Sequence, residues 1–224
     1  MTETATNEHP ILFSGSMVRA ILDGRKTQTR RVIKPQPINF TGHKYIVPDH
    51  APKAWHDYDG PFTDFCPYGA PGDRLIVRES WRYHDWTEDG YPQIQYKADD
   101  ELRWIDPIDA PSATIDKIHE QWAALSDDEN FAREGAARDK SWRPSIHMFH
   151  CFSRISLVVK RRWVERVQEI SNDDAWCEGV SPSPEYNCRA YFRDLWDSIN
   201  ASKGYGWDAN PWVWCVEFER IEVK

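Results

Sequence analysis

The sequence is poor in most signals that name an enzyme class. It has five cysteines, an odd number, widely spaced at 66, 151, 177, 188 and 215, with no C-x-x-C pair. That spacing argues against a disulfide framework or a zinc knuckle, and points to free thiols in a reducing cytoplasm. There is no phosphate-binding loop of the Walker type and no dinucleotide fingerprint. No apolar run approaches the length of a bilayer span, and residues 1–10 are polar without the apolar segment of a secretory leader. The expectation is a cytoplasmic protein with no membrane partner and no cofactor.

Basic charge is outnumbered overall: 28 Lys/Arg against 36 Asp/Glu leave the 224 residues a net charge of -8. This argues against indiscriminate binding along nucleic acid. The distribution matters more than the total. Residues 19–44 carry seven Lys/Arg against one Asp, a balance of +6, whereas residues 99–139 carry twelve Asp/Glu against four Lys/Arg, a balance of -8. The acidity of the whole chain thus equals that of one internal segment, and a basic site can exist beside it.

What is abundant is aromatic: 12 Trp, 9 Tyr and 9 Phe. Such side chains fill cores, and they also stack on bases. The loop Gly204-Tyr205-Gly206-Trp207-Asp208-Ala209-Asn210-Pro211-Trp212 places Trp207 and Trp212 on a rigid turn, either as a base-stacking platform or as a hydrophobic lid. Arg161 and Arg162 precede Trp163, as a phosphate patch or a solvated hairpin.

The pattern reads as mixed α+β. Strands are expected near 11–13, 29–33, 74–81, 93–98, 154–167 and 212–221. Short helices are expected after Ser16, stopping at Gly24, over 114–125, and after Ser171, closing at Gly179. A further helix carries Tyr191, Leu195, Trp196 and Ile199 on one face. Several strands with few helices suggest a small mixed β-barrel with flanking helices. The whole of 1–224 reads as one domain, with a loop insertion near 38–65 and a large acidic insertion near 99–140.

The densest chemistry lies in Ile21-Leu22-Asp23-Gly24-Arg25-Lys26-Thr27-Gln28-Thr29-Arg30-Arg31. Cations so crowded repel one another. They hold something anionic, lower the pKa of a lysine, or form a solvated face. Cys66, His147, His150 and Cys151 have some metal-ligand character, but adjacent His and Cys ligands are geometrically awkward and Cys66 is remote, so no metal is assigned. His147 is kept as a candidate pocket residue after Trp142-Arg143-Pro144-Ser145.

Four stretches together resemble the ASCH family of the PUA-like superfamily. They are Ile21-Leu22-x-Gly24-Arg25-Lys26-Thr27-x-Thr29-x-Arg31, Pro71-Gly72-Asp73-x-Leu75, Ile170-Ser171-x-x-x-Ala175-x-x-Glu178-Gly179, and Trp214-x-Val216-x-Phe218. The chain also resembles the longer members found in tailed phages and prophages. The resemblance implies a PUA-like barrel and, by similarity to bacterial acetylcytidine amidohydrolases, a catalytic set of Lys26, Thr29 and Glu178. Arg25, Arg30, Arg31, His147, Trp207 and Trp212 are the candidate substrate contacts. The implied function is binding of a nucleoside or modified base, with hydrolysis of an acyl amide on a modified cytidine. A non-catalytic reader of modified RNA or DNA, a ribonuclease and a phage structural or interaction protein remain open alternatives.

Overall fold

The computed structural model describes residues 6–41, 44–56, 60–87, 90–106, 110–126, 141–180 and 187–221. In chain order its elements are β1 (Glu8–Leu12), α1 (Gly15–Leu22), β2 (Gln28–Val32), β3 (Asn39–Thr41), β4 (Lys44–Ile46), α2 (Lys53–His56), β5 (Arg74–Arg78), β6 (Trp81–Trp86), β7 (Pro92–Tyr96), β8 (Leu102–Trp104), α3 (Ser112–Ser126), β9 (Ser156–Arg166), α4 (Asn172–Cys177), α5 (Cys188–Asn200) and β10 (Trp212–Ile221). The architecture is α+β. Five strands form a sheet in the order β1-β5-β9-β10-β2, β6-β7-β8 form a second sheet, and β3-β4 form a ribbon.

Among the described residues the strands do not close into the barrel expected from the strand count. The five-stranded sheet is open, with β1 and β2 at its edges. Residues 81–104, which a barrel would draw on, pair locally as an antiparallel meander instead. Local pairing closes short loops, which costs less chain entropy than long-range closure. The expected strand 74–81 is therefore two strands, broken at Glu79 and Ser80.

Contacts divide the chain into two compact units. One comprises Met1–His9, Ala20–Leu75 and Leu157–Glu222; the other comprises Pro10–Arg19, Ile76–Ser156 and Val223–Lys224. The second unit has its own core, in which Trp81, Tyr83, Ile94, Tyr96, Ile118 and Phe152 are buried. It also buries Glu79 beneath Arg154. The pair is bidentate at 2.9 and 3.0 Å, Arg154 reaches Asp99 and Glu101 as well, and its guanidinium lies 4.1 Å from the Tyr96 ring centroid. Of the expected acidic insertion, β8 and α3 are described, while 107–109 and 127–140 lie outside the described residues. The expected loop at 38–65 contains the β3-β4 ribbon and α2.

The first unit holds the basic turn. Its core gathers Val167, Ile170, Ala175, Phe192, Trp196 and Cys215. Helix α5 buries Cys188, Phe192 and Trp196, whereas Tyr191 and Ile199 are exposed. The apolar face is thus rotated from the expected one: the i, i+4, i+8 row at 188, 192 and 196 faces inward. Strand β10 is buried on both faces for most of its length. Its antiparallel register with β2 sets Val32 against Val213, Arg30 against Cys215, Thr29 against Val216 and Gln28 against Glu217. Side chains alternate along a strand, so Gln28, Arg30 and Val32 share one face, and Thr29 and Arg31 share the other. Phe62 stacks on Trp214, with centroids 5.1 Å apart.

Candidate functional site

The turn and α4 are stitched together by backbone before any side chain is considered. Gly24 ends α1 at φ 73°, in the left-handed region that favours glycine. Thr27 N–H donates to Cys177 O at 2.8 Å, and Lys26 forms an antiparallel bridge with Glu178. At the other end of α4, the Ser171 hydroxyl accepts from Asp174 N–H, the expected N-cap. Glu178 follows the last helical residue and Gly179 turns the chain at φ 83°. A Cβ on Gly179 would sit 2.7 Å from Ala20 Cβ and 2.8 Å from Lys26 Cβ, so glycine is required there for the approach of the turn as well as for φ.

This docking gives the basic turn a physical role. Carbonyls at a helix C-terminus lack intrahelical partners and attract cations. Arg25 donates to Gly179 O at 3.0 Å and pairs with Asp23 at 2.9 Å. Lys26 Nζ donates to Glu178 O at 2.9 Å, to Gln28 O at 2.7 Å and to Glu178 Oε2 at 2.7 Å. Three acceptors match the three N–H bonds of an ammonium, so the resting pair is ammonium and carboxylate. Burial holds the Lys26 pKa below the usual lysine range; Glu178 opposes that shift, and the charges of Arg31 and Arg30 add to it.

Arg30 extends the cluster. Its Nε donates to Glu165 Oε1 at 2.7 Å, and its Nη1 lies 3.3 Å from both Gln28 Oε1 and Glu178 Oε1. Nη2 lies 3.7 Å from Asp174 Oδ2. Glu165 also accepts from Trp163 Nε1 at 2.7 Å, and from the Cys215 thiol, whose pKa is pushed well up, chiefly by burial. Gln28 donates to Asp174, whose carboxyl is held below its ordinary value: burial works against that shift, and hydrogen bonds from Ser171 and Gln28 outweigh it. The side chains of Lys26 and Arg30 are 0 % exposed and that of Glu178 is 4 %. Two buried cations therefore meet the buried Glu178, where their interaction is stronger than at a surface, and the partly exposed Glu165 and Asp174 at its rim.

The structure brings Lys26, Arg30 and Glu178 together. Thr29 occupies the other face of β2, is 1 % exposed, and its Oγ1 makes no hydrogen bond. Arg31, on that same face, donates to the Tyr68 side chain. Trp207 is buried beneath Arg189, 5.1 Å from its ring, and packs against Phe192. Trp212 is buried with Arg166 over its ring at 4.2 Å, and its backbone N–H donates to Gln36 Oε1. His147 lies in the second unit, exposed on a short 3-10 turn at Ser145–His147. Among the described residues no group of His, Cys, Asp and Glu converges as a metal ion would need, and no helix is long and apolar enough to cross a membrane.

Sequence reasoning missed Gln28, Glu165, Asp174 and Cys215. Period-two reading of β2 carries part of the signal, because it puts Gln28 on the same face as Arg30. Asp174 stands three residues after the Ser171 cap, and its contact with Arg30 exists only in the tertiary fold. No family model, curated protein or solved structure matches the chain.

Proposed function

We propose that this chain is an ASCH-type, PUA-like protein that binds an acylated cytidine and hydrolyses the amide on its exocyclic amine. One observation carries the reading. Lys26 and Glu178, 152 residues apart in sequence, form a buried 2.7 Å ion pair at the positions the resemblance singles out. Strong electrostatics in a water-excluded site is what amide hydrolysis requires, since charge develops on the carbonyl oxygen.

In this reading the Thr29 hydroxyl attacks the amide carbonyl and its proton passes to the Glu178 carboxylate. Thr29 starts from the face of β2 opposite Arg30 with its Oγ1 unpaired, so this step requires the β2 turn to shift on substrate binding and bring Oγ1 to the pair. The oxyanion that forms lies against the Lys26 ammonium. Collapse breaks the C–N bond while Lys26 delivers a proton to the leaving amine. Water then releases the acyl group from Thr29 as a carboxylic acid, and the proton on Glu178 returns to Lys26. The overall change is amide plus water to acid plus amine. Lys26 thus serves as an acid and an electrostatic group, because its resting state already holds three protons.

A second reading, binding without turnover, is favoured by the saturation and complete burial of Lys26. There the pair is a clamp between the turn and α4, and the protein reads a modified base in RNA or DNA. The two separate in one experiment. Wild type, Lys26→Ala and Glu178→Gln are incubated with N-acetylated cytidine together with an RNA oligonucleotide carrying the same modified base, and free cytidine, bound oligonucleotide and RNA fragments are followed by chromatography. Release by wild type that is lost in both variants supports the hydrolase. Binding of modified oligonucleotide without release supports the reader, and cleavage of RNA in the same incubation defeats both.

A further inference from the structure

We propose that Arg30 is a positioning residue for the Lys26–Glu178 pair, holding one oxygen of the Glu178 carboxylate so that the other faces Lys26. The inference rests on the hydrolase reading for its relevance to turnover. Its geometry stands independently.

Glu178 divides its carboxylate between two cations: Oε2 meets Lys26 at 2.7 Å and Oε1 meets Arg30 at 3.3 Å. A carboxylate with one anchor can rotate about its last side-chain bond; with two it has a fixed plane. Arg30 is itself hydrogen-bonded at two further points, and its Nη2, which makes no hydrogen bond, lies in ion-pair range of a third. Glu165 on β9 binds Nε, Gln28 on its own strand accepts from Nη1, and Asp174 on α4 faces Nη2. The guanidinium is planar, and its fork of donors reaches carboxylates from two elements at once, which a lysine ammonium at this position would not reproduce. Trp163 limits its motion further, since its ring centroid lies 5.9 Å from the Arg30 guanidinium carbon.

The same placement sets proton affinity. Arg30 repels the Lys26 ammonium and competes with it for Glu178. The charged and titratable groups around Lys26 and Arg30 are Arg31 and Arg30 on β2, Glu178 and Asp174 at α4, Glu165 on β9 and Cys215 on β10. Removing the Arg30 charge leaves Glu178 wholly to Lys26. Lys26 then holds its proton more tightly and gives it up less readily to a leaving amine.

The test is Arg30→Gln, with Lys26 titrated by NMR through its side-chain nitrogen and its adjacent carbon. The expected result is a Lys26 pKa raised by at least about half a unit, roughly threefold in the protonation ratio. On acylated cytidine, the alkaline limb of the rate profile moves up with it, kcat falls and KM stays within about twofold, because positioning acts on the reacting pair rather than on substrate binding. Arg30→Lys, which keeps a cation, gives a smaller shift of the same sign and restores part of kcat. It is also the variant titrated if Arg30→Gln does not fold. An unmoved Lys26 pKa in the folded variant overturns the inference, even where stability has dropped. The titration needs no turnover. A wild type that releases no cytidine sinks the hydrolase reading alone, and an unmoved pKa with an active wild type sinks the positioning role alone.

Discussion

Replacing Glu178 with glutamine is the perturbation whose consequence follows most directly from the geometry. Glutamine keeps the volume and removes the charge. Lys26 Nζ retains its two backbone acceptors, Gln28 O and Glu178 O, but loses the carboxylate at 2.7 Å, and Arg30 Nη1 loses its partner at 3.3 Å. Two buried cations are then left facing a neutral amide, with Glu165 and Asp174 as the remaining countercharges. Removing one partner of a buried ion pair costs about 3–5 kcal/mol. The surviving backbone hydrogen bonds put the expected loss at the lower end, about 3 kcal/mol. For a chain of this size each kcal/mol moves Tm by roughly 2–4 °C, so Tm should fall by about 6–12 °C. Differential scanning fluorimetry at pH 7 measures it. The partner variant Lys26→Met should also destabilise, and the double variant should cost clearly less than the sum of the two, because each single change already breaks the shared contact. A Glu178→Gln protein melting within about 2 °C of wild type, or strict additivity in the double, would refute the coupled buried pair.

Three other substitutions probe separate features. Gly179→Ala should destabilise by about 2 kcal/mol or more, because its φ of 83° strains an L-residue and its Cβ would meet Ala20 and Lys26 under 3 Å; urea unfolding checks it. Asp174 has a depressed folded pKa, so it contributes stability above the ordinary aspartate value and loses that contribution as pH falls through the folded value. Asp174→Asn should therefore be less stable than wild type at pH 7 and differ from it less at about pH 3, as thermal melts at the two pH values will show. In the second unit, Arg154→Met leaves Glu79 buried without its bidentate partner, and burial already raises the Glu79 pKa. The expected cost is about 3 kcal/mol at pH 7, shrinking as pH falls and Glu79 takes up a proton; a cost independent of pH would contradict it.

The parts of this chain that were legible in its sequence are those governed by local chemistry. Ser171 caps a helix, and Gly24 and Gly179 end helices at positive φ; β10 is a strand as expected, but it is buried on both faces for most of its length rather than alternating. Sheet closure was not legible, because it depends on whether 81–104 pair with each other or with distant strands. The meander is settled by short-range hairpins, and the broken strand at Glu79 and Ser80 follows from it. The site was half legible. Lys26 and Glu178 were named through the ASCH resemblance and meet in the fold. The basic turn, by contrast, left open an anion site, a lysine of lowered pKa or a solvated face. In the fold its cations meet protein acceptors: Arg25 a helix-end carbonyl, Arg30 three carboxylates, Arg31 the Tyr68 side chain. Charge density in a sequence does not reveal which acceptors the chain itself will bring. The strand period separates Thr29 from Arg30 across β2, a distinction that a motif written in one line conceals.

The proposed hydrolysis depends on ligand meeting the Lys26–Glu178 pair. The most direct measurement of that contact is the NMR signal of the Lys26 side chain during addition of N-acetylated cytidine to the wild-type protein. The expected result is a saturable shift of that resonance, absent in Glu178→Gln. A resonance that does not move while excess acylated cytidine is added would contradict it.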